Sequence, residues 1–192
     1  MNNEPTNNQI SDSLGKTPNI YLIGYRGSGK TSVGKMLARL LNRPFLDMDA
    51  EAVQAAGASI QDMVAHHGWD AFRRLESDIV KQMALRSGHI VATGGGVILN
   101  ADNIRRMKSS GRVIWLRIQP ETARNRMSED PATPGQRPGL TTAGCMVEIA
   151  SVMQHRAPLY EQAADMMVDA DDADIETICR YILSIIVEAE TA

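Results

Sequence analysis

Residues 20–34, IYLIGYRGSGKTSVG, run a short apolar segment into a glycine-rich turn and follow it at once with Lys30, Thr31 and Ser32. The stretch contains Gly24-x-x-x-x-Gly29-Lys30-Thr31, with a predicted strand before it and a predicted helix after it. The glycines allow successive backbone N–H groups to curl toward one anion. The helix opening near Lys30 adds its positive N-terminal end. A merely tight strand–helix turn needs neither the lysine nor the threonine. The pattern therefore predicts a triphosphate site made of Gly27, Ser28, Gly29, Lys30, Thr31 and Ser32. Lys30 can reach the β- and γ-phosphates, and the Thr31 hydroxyl suits Mg²⁺. Switches, motors and kinases share such a loop, so what is done with the nucleotide must be read elsewhere.

Downstream, strand-like and helix-like segments alternate. PFLD (44–47), HIVAT (89–93), RVIWLRI (112–118) and MMVD (166–169) read as strands. GKTSVGKMLARLLN places Val33, Leu37, Leu40 and Leu41 at helical spacing. Helices are expected from about Ala50, from Ser59 as N-cap to a stop at Gly68, and then through DAFRRLESDIVKQMALRSG. Others are expected from Pro120 to about Met127, from about Cys145 to Arg156, and over IETICRYILSIIVEA. Strands separated by helices imply right-handed crossovers and a five-stranded parallel sheet covered on both faces, an α/β three-layer fold. Residues 128–143, SEDPATPGQRPGLTTA, carry three prolines and two glycines, the composition of a lid or binding loop.

Composition narrows the function. The chain has 192 residues, 43% of them apolar, enough for one compact domain over residues 19–188. A net charge of −3 argues against a sequence-independent nucleic-acid binder, and two Phe and two Trp are too few for a base-stacking surface. No apolar run approaches the ~20 residues needed to cross a bilayer. Residues 1–18 read as a disordered polar leader without the apolar segment of a secretory signal. Cys145 and Cys179 are isolated and have no metal spacing, so a reduced, cytoplasmic protein is expected, and its size and balanced charge favour a monomer.

Further candidates cluster near strand ends. Asp47 and Asp49 lie at the carboxyl end of the second strand, the edge where ligands gather in a parallel sheet. They read either as a solvated acidic strand end or helix cap, or as a pair that shares an extended face. In the second reading one acid supports Mg²⁺ through water and the other orients an acceptor hydroxyl. Arg73 and Glu76 are three apart on an amphipathic helix, a spacing that ordinary exposed helices also show. Gly94, Gly95 and Gly96 follow the third strand directly, where missing side chains let a ligand approach the backbone.

Taken together, GYRGSGKT (24–31), DMD (47–49), FRRLE (72–76), TGGG (93–96), RPGL (137–140) and RAPLY (156–160) resemble the shikimate kinase family, in family order, over roughly residues 19–187. The resemblance implies a P-loop kinase fold and ATP-dependent phosphorylation of the 3-hydroxyl of shikimate, with Mg²⁺. It implies that Asp49, Arg73, Gly94, Gly95, Gly96 and Arg156 bind shikimate, with Asp49 also orienting or deprotonating the attacking oxygen. It further implies that Thr31 holds Mg²⁺ with Asp47 acting through water, that Arg137 is the lid arginine, and that Arg126 stacks on adenine. Lys30, Asp49 and Arg137 would be the catalytic set. The chain departs from the family pattern in having Gly68-Trp69 where Gly-Glu is usual, RPGL where RPLL is commoner, and DADDADI (169–175) in place of an Asn-Pro loop. Gluconate kinases and nucleoside monophosphate kinases share the build but are not expected to combine these motifs, and the guanine-reading Asn-Lys-x-Asp pattern is absent.

Overall fold

The computed structural model describes residues 17–129 and 146–191. The leader up to residue 16, Cys145, Arg137 and most of the expected lid lie outside the described residues.

Five parallel strands form one sheet. The central strand, β1 (Asn19–Ile23), is buried at every position, as a strand with neighbours on both edges and helices on both faces must be. It pairs with β3 (Ile90–Ala92) on one side and β4 (Gly111–Arg117) on the other. β2 (Phe45–Asp47) and β5 (Met166–Asp169) close the edges, giving the order β2-β3-β1-β4-β5. Alternation along β1 divides the core. Ile20 and Leu22 face a cluster with Val33, Leu37, Ile178 and Ile182, while Tyr21 and Ile23 face Phe72, Val80, Met83 and Met107. Each such burial contributes about 1.5–3 kcal/mol.

The helices follow their sequence signals closely. α1 (Lys30–Leu41) opens directly from the glycine turn. α2 (Met48–Ala56) starts earlier than expected because Asp47 caps it, accepting from the amides of Asp49 and Ala50. α3 (Ile60–Ala84) is capped by Ser59 and broken at Gly68, whose φ of 76° and ψ of 168° no helical residue adopts. α4 (Ala101–Ser110) is capped by Asn100. α5 (Pro120–Glu129) precedes α6 (Met146–Ala163), which runs about two turns beyond Arg156 and carries Pro158 inside it. α7 (Ile175–Thr191) lies against α1. The strand register aligns Leu22 of β1 and Asp47 of β2 with Ala92 of β3, so the loop after each strand emerges at one rim.

Candidate active site

At that rim the phosphate loop curls as its glycines predict. Gly24, Gly27 and Gly29 have φ of 145°, 75° and 86°, conformations that side chains resist. A Cβ at Gly24 would also lie 2.5 Å from the Leu116 carbonyl oxygen. Lys30 bends back over the loop, its Nζ donating to the carbonyls of Gly24 at 2.9 Å and Tyr25 at 2.8 Å and to Ser28 Oγ at 3.3 Å. The ammonium thus sits inside the curl of the loop.

Thr31 Oγ1 donates to Asp47 Oδ2 at 2.7 Å, while Asp47 Oδ1 accepts from the Asp49 amide at 3.0 Å and the Ala50 amide at 3.4 Å. Asp47 is therefore a helix cap, as one of the two readings of the sequence expects, and also the partner of Thr31. Because the helix begins at Met48, Asp47 and Asp49 do not share an extended face. Asp49 instead projects from the first turn of α2, half-buried. A hydroxyl and a carboxylate in contact at the end of a phosphate loop are hard oxygen donors, and this chemistry suits Mg²⁺.

The three-glycine segment after β3 ties the rim together. Thr93 anchors its start, donating from Oγ1 to the Leu22 carbonyl at 2.9 Å. Gly94, Gly95 and Gly96 are buried. The Gly95 carbonyl accepts from the Tyr160 hydroxyl at 2.6 Å and from Arg156 Nη1 at 3.1 Å. Burial pushes the Tyr160 phenol far above its ordinary range, with Arg156 opposing, so it remains a donor to that carbonyl. Its ring stacks on Trp115, with centroids 5.5 Å apart. On the other side Gly95 meets the phosphate loop, where a Cβ would come 3.4 Å from the Gly24 carbonyl oxygen.

Arg73 reaches the same segment from α3. Its Nη1 donates to Glu76 Oε2 at 2.6 Å, and Glu76 is only 3% exposed. The guanidinium packs on Gly96 so closely that a Cβ there would fall 2.5 Å from Cζ. Two guanidiniums from separate helices thus meet one glycine segment.

Beyond the phosphate loop lies a cleft of about 750 Å³, lined by Ser32, Val33, Met36, Arg126, Asp174 and Ile175 among others. Arg126 is held by the carbonyls of Gly27 at 3.3 Å and of Ala170 and Asp171 at 2.8 Å. Within DADDADI, Asp174 caps α7, accepting from the Thr177 amide at 2.7 Å. That hydrogen bond holds its carboxyl below the usual range.

The structure therefore gathers Lys30, Thr31, Asp47, Asp49, Arg73, Arg156 and the glycines 94–96 at one rim, and sets Arg126 on the far side of the loop. Sequence reading missed the clamp made by Tyr160, which stands inside RAPLY, and the ring of Trp69 beside Arg73, which it noted only as a departure from the family pattern.

A phosphate loop after the first of five parallel strands in the order 2-3-1-4-5, facing acids and paired arginines, defines a small P-loop kinase. Comparison with known proteins narrows this. The sequence profile described as Shikimate kinase matches residues 26–187, and the chain belongs to the shikimate kinase family. It is an ATP-dependent kinase of that family. The chain is 43% identical to the shikimate kinase of Nitratidesulfovibrio vulgaris over 152 residues, covering 79% of this chain and 86% of the relative. It is 38% identical to shikimate kinase 2 of Yersinia enterocolitica, covering 90% and 97%. In three dimensions it is similar to the shikimate kinase of Acinetobacter baumannii in complex with shikimate, with a TM-score of 0.86, 31% identity, and coverage of 95% of this chain and 99% of that one.

Proposed function

We propose that the chain transfers the terminal phosphoryl group of ATP to the 3-hydroxyl of shikimate, using Arg73 and Arg156 to hold the acceptor carboxylate and Asp49 to orient the attacking oxygen. The observation that carries this reading is the meeting of both arginines on Gly95 and Gly96, the segment that itself touches the phosphate loop at Gly24. A planar guanidinium fork matches a carboxylate, and two forks beside a triphosphate site suit an anionic alcohol.

In this reading the loop amides and Lys30 hold the phosphates, exchanging the carbonyl contacts of Lys30 for phosphate oxygens. Thr31, with Asp47 acting through water, would hold Mg²⁺, which supplies neutralising charge when bound. Asp49 accepts a hydrogen bond from the hydroxyl and takes its proton as the new P–O bond forms and the bond from the terminal phosphorus to the departing ADP oxygen breaks. The transition state is loose, so alignment and charge stabilisation do most of the work. Arg126 and the cleft beside α7 receive the base. Residues 19–188 act as one catalytic unit, as a monomer in the cytoplasm. Among the described residues no helix is long and apolar enough to cross a membrane. The test is a coupled ADP-release assay over shikimate, quinate, gluconate and nucleoside monophosphates. Turnover with shikimate is expected to exceed all others, and preference for any other acceptor would overturn the reading.

A further inference from the structure

Trp69 is 37% exposed, so burial alone does not account for it. It stands just after the break at Gly68, so Phe72 and Arg73 follow at three and four residues and share its helix face. The Trp69 and Phe72 rings meet edge to face, 6.0 Å apart at 77°. Arg73 Cζ lies 5.4 Å from the Trp69 ring centre and 5.3 Å from that of Phe72. Phe72 is buried at 2% exposure and is accounted for by the core. Trp69 gains less from burial, and what it offers instead is an electron-rich ring beside a cation.

The guanidinium is thereby confined from several directions. Glu76 holds Nη1, Gly96 lies against it closely enough to exclude a Cβ, and the two rings take up space beside it. An arginine side chain otherwise has much rotamer freedom to lose on gripping a ligand. We infer that Trp69 is a positioning residue: it holds the Arg73 guanidinium against Gly96 in the orientation that receives the acceptor carboxylate, and so sets acceptor affinity. The inference rests on the reading of Arg73 as a carboxylate ligand.

The test compares Trp69→Leu, Trp69→Phe and Arg73→Lys, alone and with Trp69→Leu and Arg73→Lys combined, by KM for shikimate, KM for ATP, kcat and melting temperature. Trp69→Leu should raise the shikimate KM about 3- to 30-fold, the range that cation–π attraction spans, with kcat and the ATP KM within about twofold. Trp69→Phe should restore the shikimate KM, because an aromatic face remains. The combined variant should be weaker than Arg73→Lys alone by much less than the single effect of Trp69→Leu, because both act on one contact. An unchanged shikimate KM in Trp69→Leu, or additive effects in the combined variant, would overturn the inference while leaving the carboxylate reading intact. No effect of Arg73→Lys on the shikimate KM would instead overturn that reading. Should Trp69→Leu not fold, Trp69→Gln at the same half-exposed site carries the same expectations.

Discussion

Thr31 and Asp47, sixteen residues apart in the chain, are joined by a 2.7 Å hydrogen bond across the mouth of the phosphate loop. The same carboxylate caps α2 through its other oxygen, so one side chain fixes both the helix that carries Asp49 and the hydroxyl that follows Lys30 in the phosphate loop. Asp47→Asn keeps the cap, since asparagine caps as well as aspartate, but loses the charge. We expect the Mg²⁺ concentration for half-maximal activity to rise about 10- to 100-fold with little change in melting temperature. A Mg²⁺ titration at fixed ATP checks this, and an unchanged midpoint would remove Asp47 from the metal site.

Asp49→Asn should lower kcat by about 10²- to 10⁴-fold, the usual contribution of a positioned general base. The KM for ATP should hardly change, because the part proposed for Asp49 is toward the acceptor hydroxyl rather than the nucleotide. Steady-state kinetics with saturating shikimate decides the matter. Near-normal turnover would reject a catalytic part for this acid.

Gly96 has an ordinary φ of −113°, so alanine there suffers no backbone strain. Its methyl group would instead collide with Arg73 Cζ at 2.5 Å and displace the guanidinium. We expect Gly96→Ala to raise the shikimate KM by at least about tenfold, the loss of one charged hydrogen bond, with nucleotide affinity preserved. Calorimetric titration with ADP and then shikimate separates the two sites.

Arg156→Ala should weaken shikimate binding by about 10- to 150-fold on the same basis. It also removes a donor from the Gly95 carbonyl, which keeps its hydrogen bond from Tyr160. The fold should therefore survive, and ADP affinity should remain within about twofold. Loss of nucleotide binding in a well-folded variant would contradict the assignment.

Burial pushes the Cys179 thiol up to about 11, since the charged thiolate is the form that burial disfavours. In a Cys145→Ala background, a thiol reagent at pH 8 should release almost no product until denaturant is added. The sign for stability follows. The contribution is whole below the unfolded thiol pKa near ~8.5 and declines as pH rises toward 11. Cys179→Ala should flatten that decline in a pH series of melting temperatures.

Much of the fold was legible because its signals are local. Glycine spacing, apolar runs and the cap at Ser59 each act within a few residues, so the five strands and most helix starts could be read directly. The site was legible as motifs: the phosphate loop, the acids, the glycines and the arginines. What the sequence could not express was adjacency across the sheet. Asn19 illustrates this: fully buried, it donates to the Met83 and Arg86 carbonyls and accepts from the His89 amide, tying β1 to the end of α3 across more than sixty residues. That Asp47 caps a helix while holding Thr31, and that Tyr160 and Arg156 share one carbonyl, depended on strand register and helix packing. Chain chemistry by itself determined which groups could bind phosphate and carboxylate, because that capacity belongs to residue type and short spacing. Only the tertiary structure decided which of those groups meet, because hydrogen bonds and ring contacts require distances of a few ångströms that no spacing along the chain specifies.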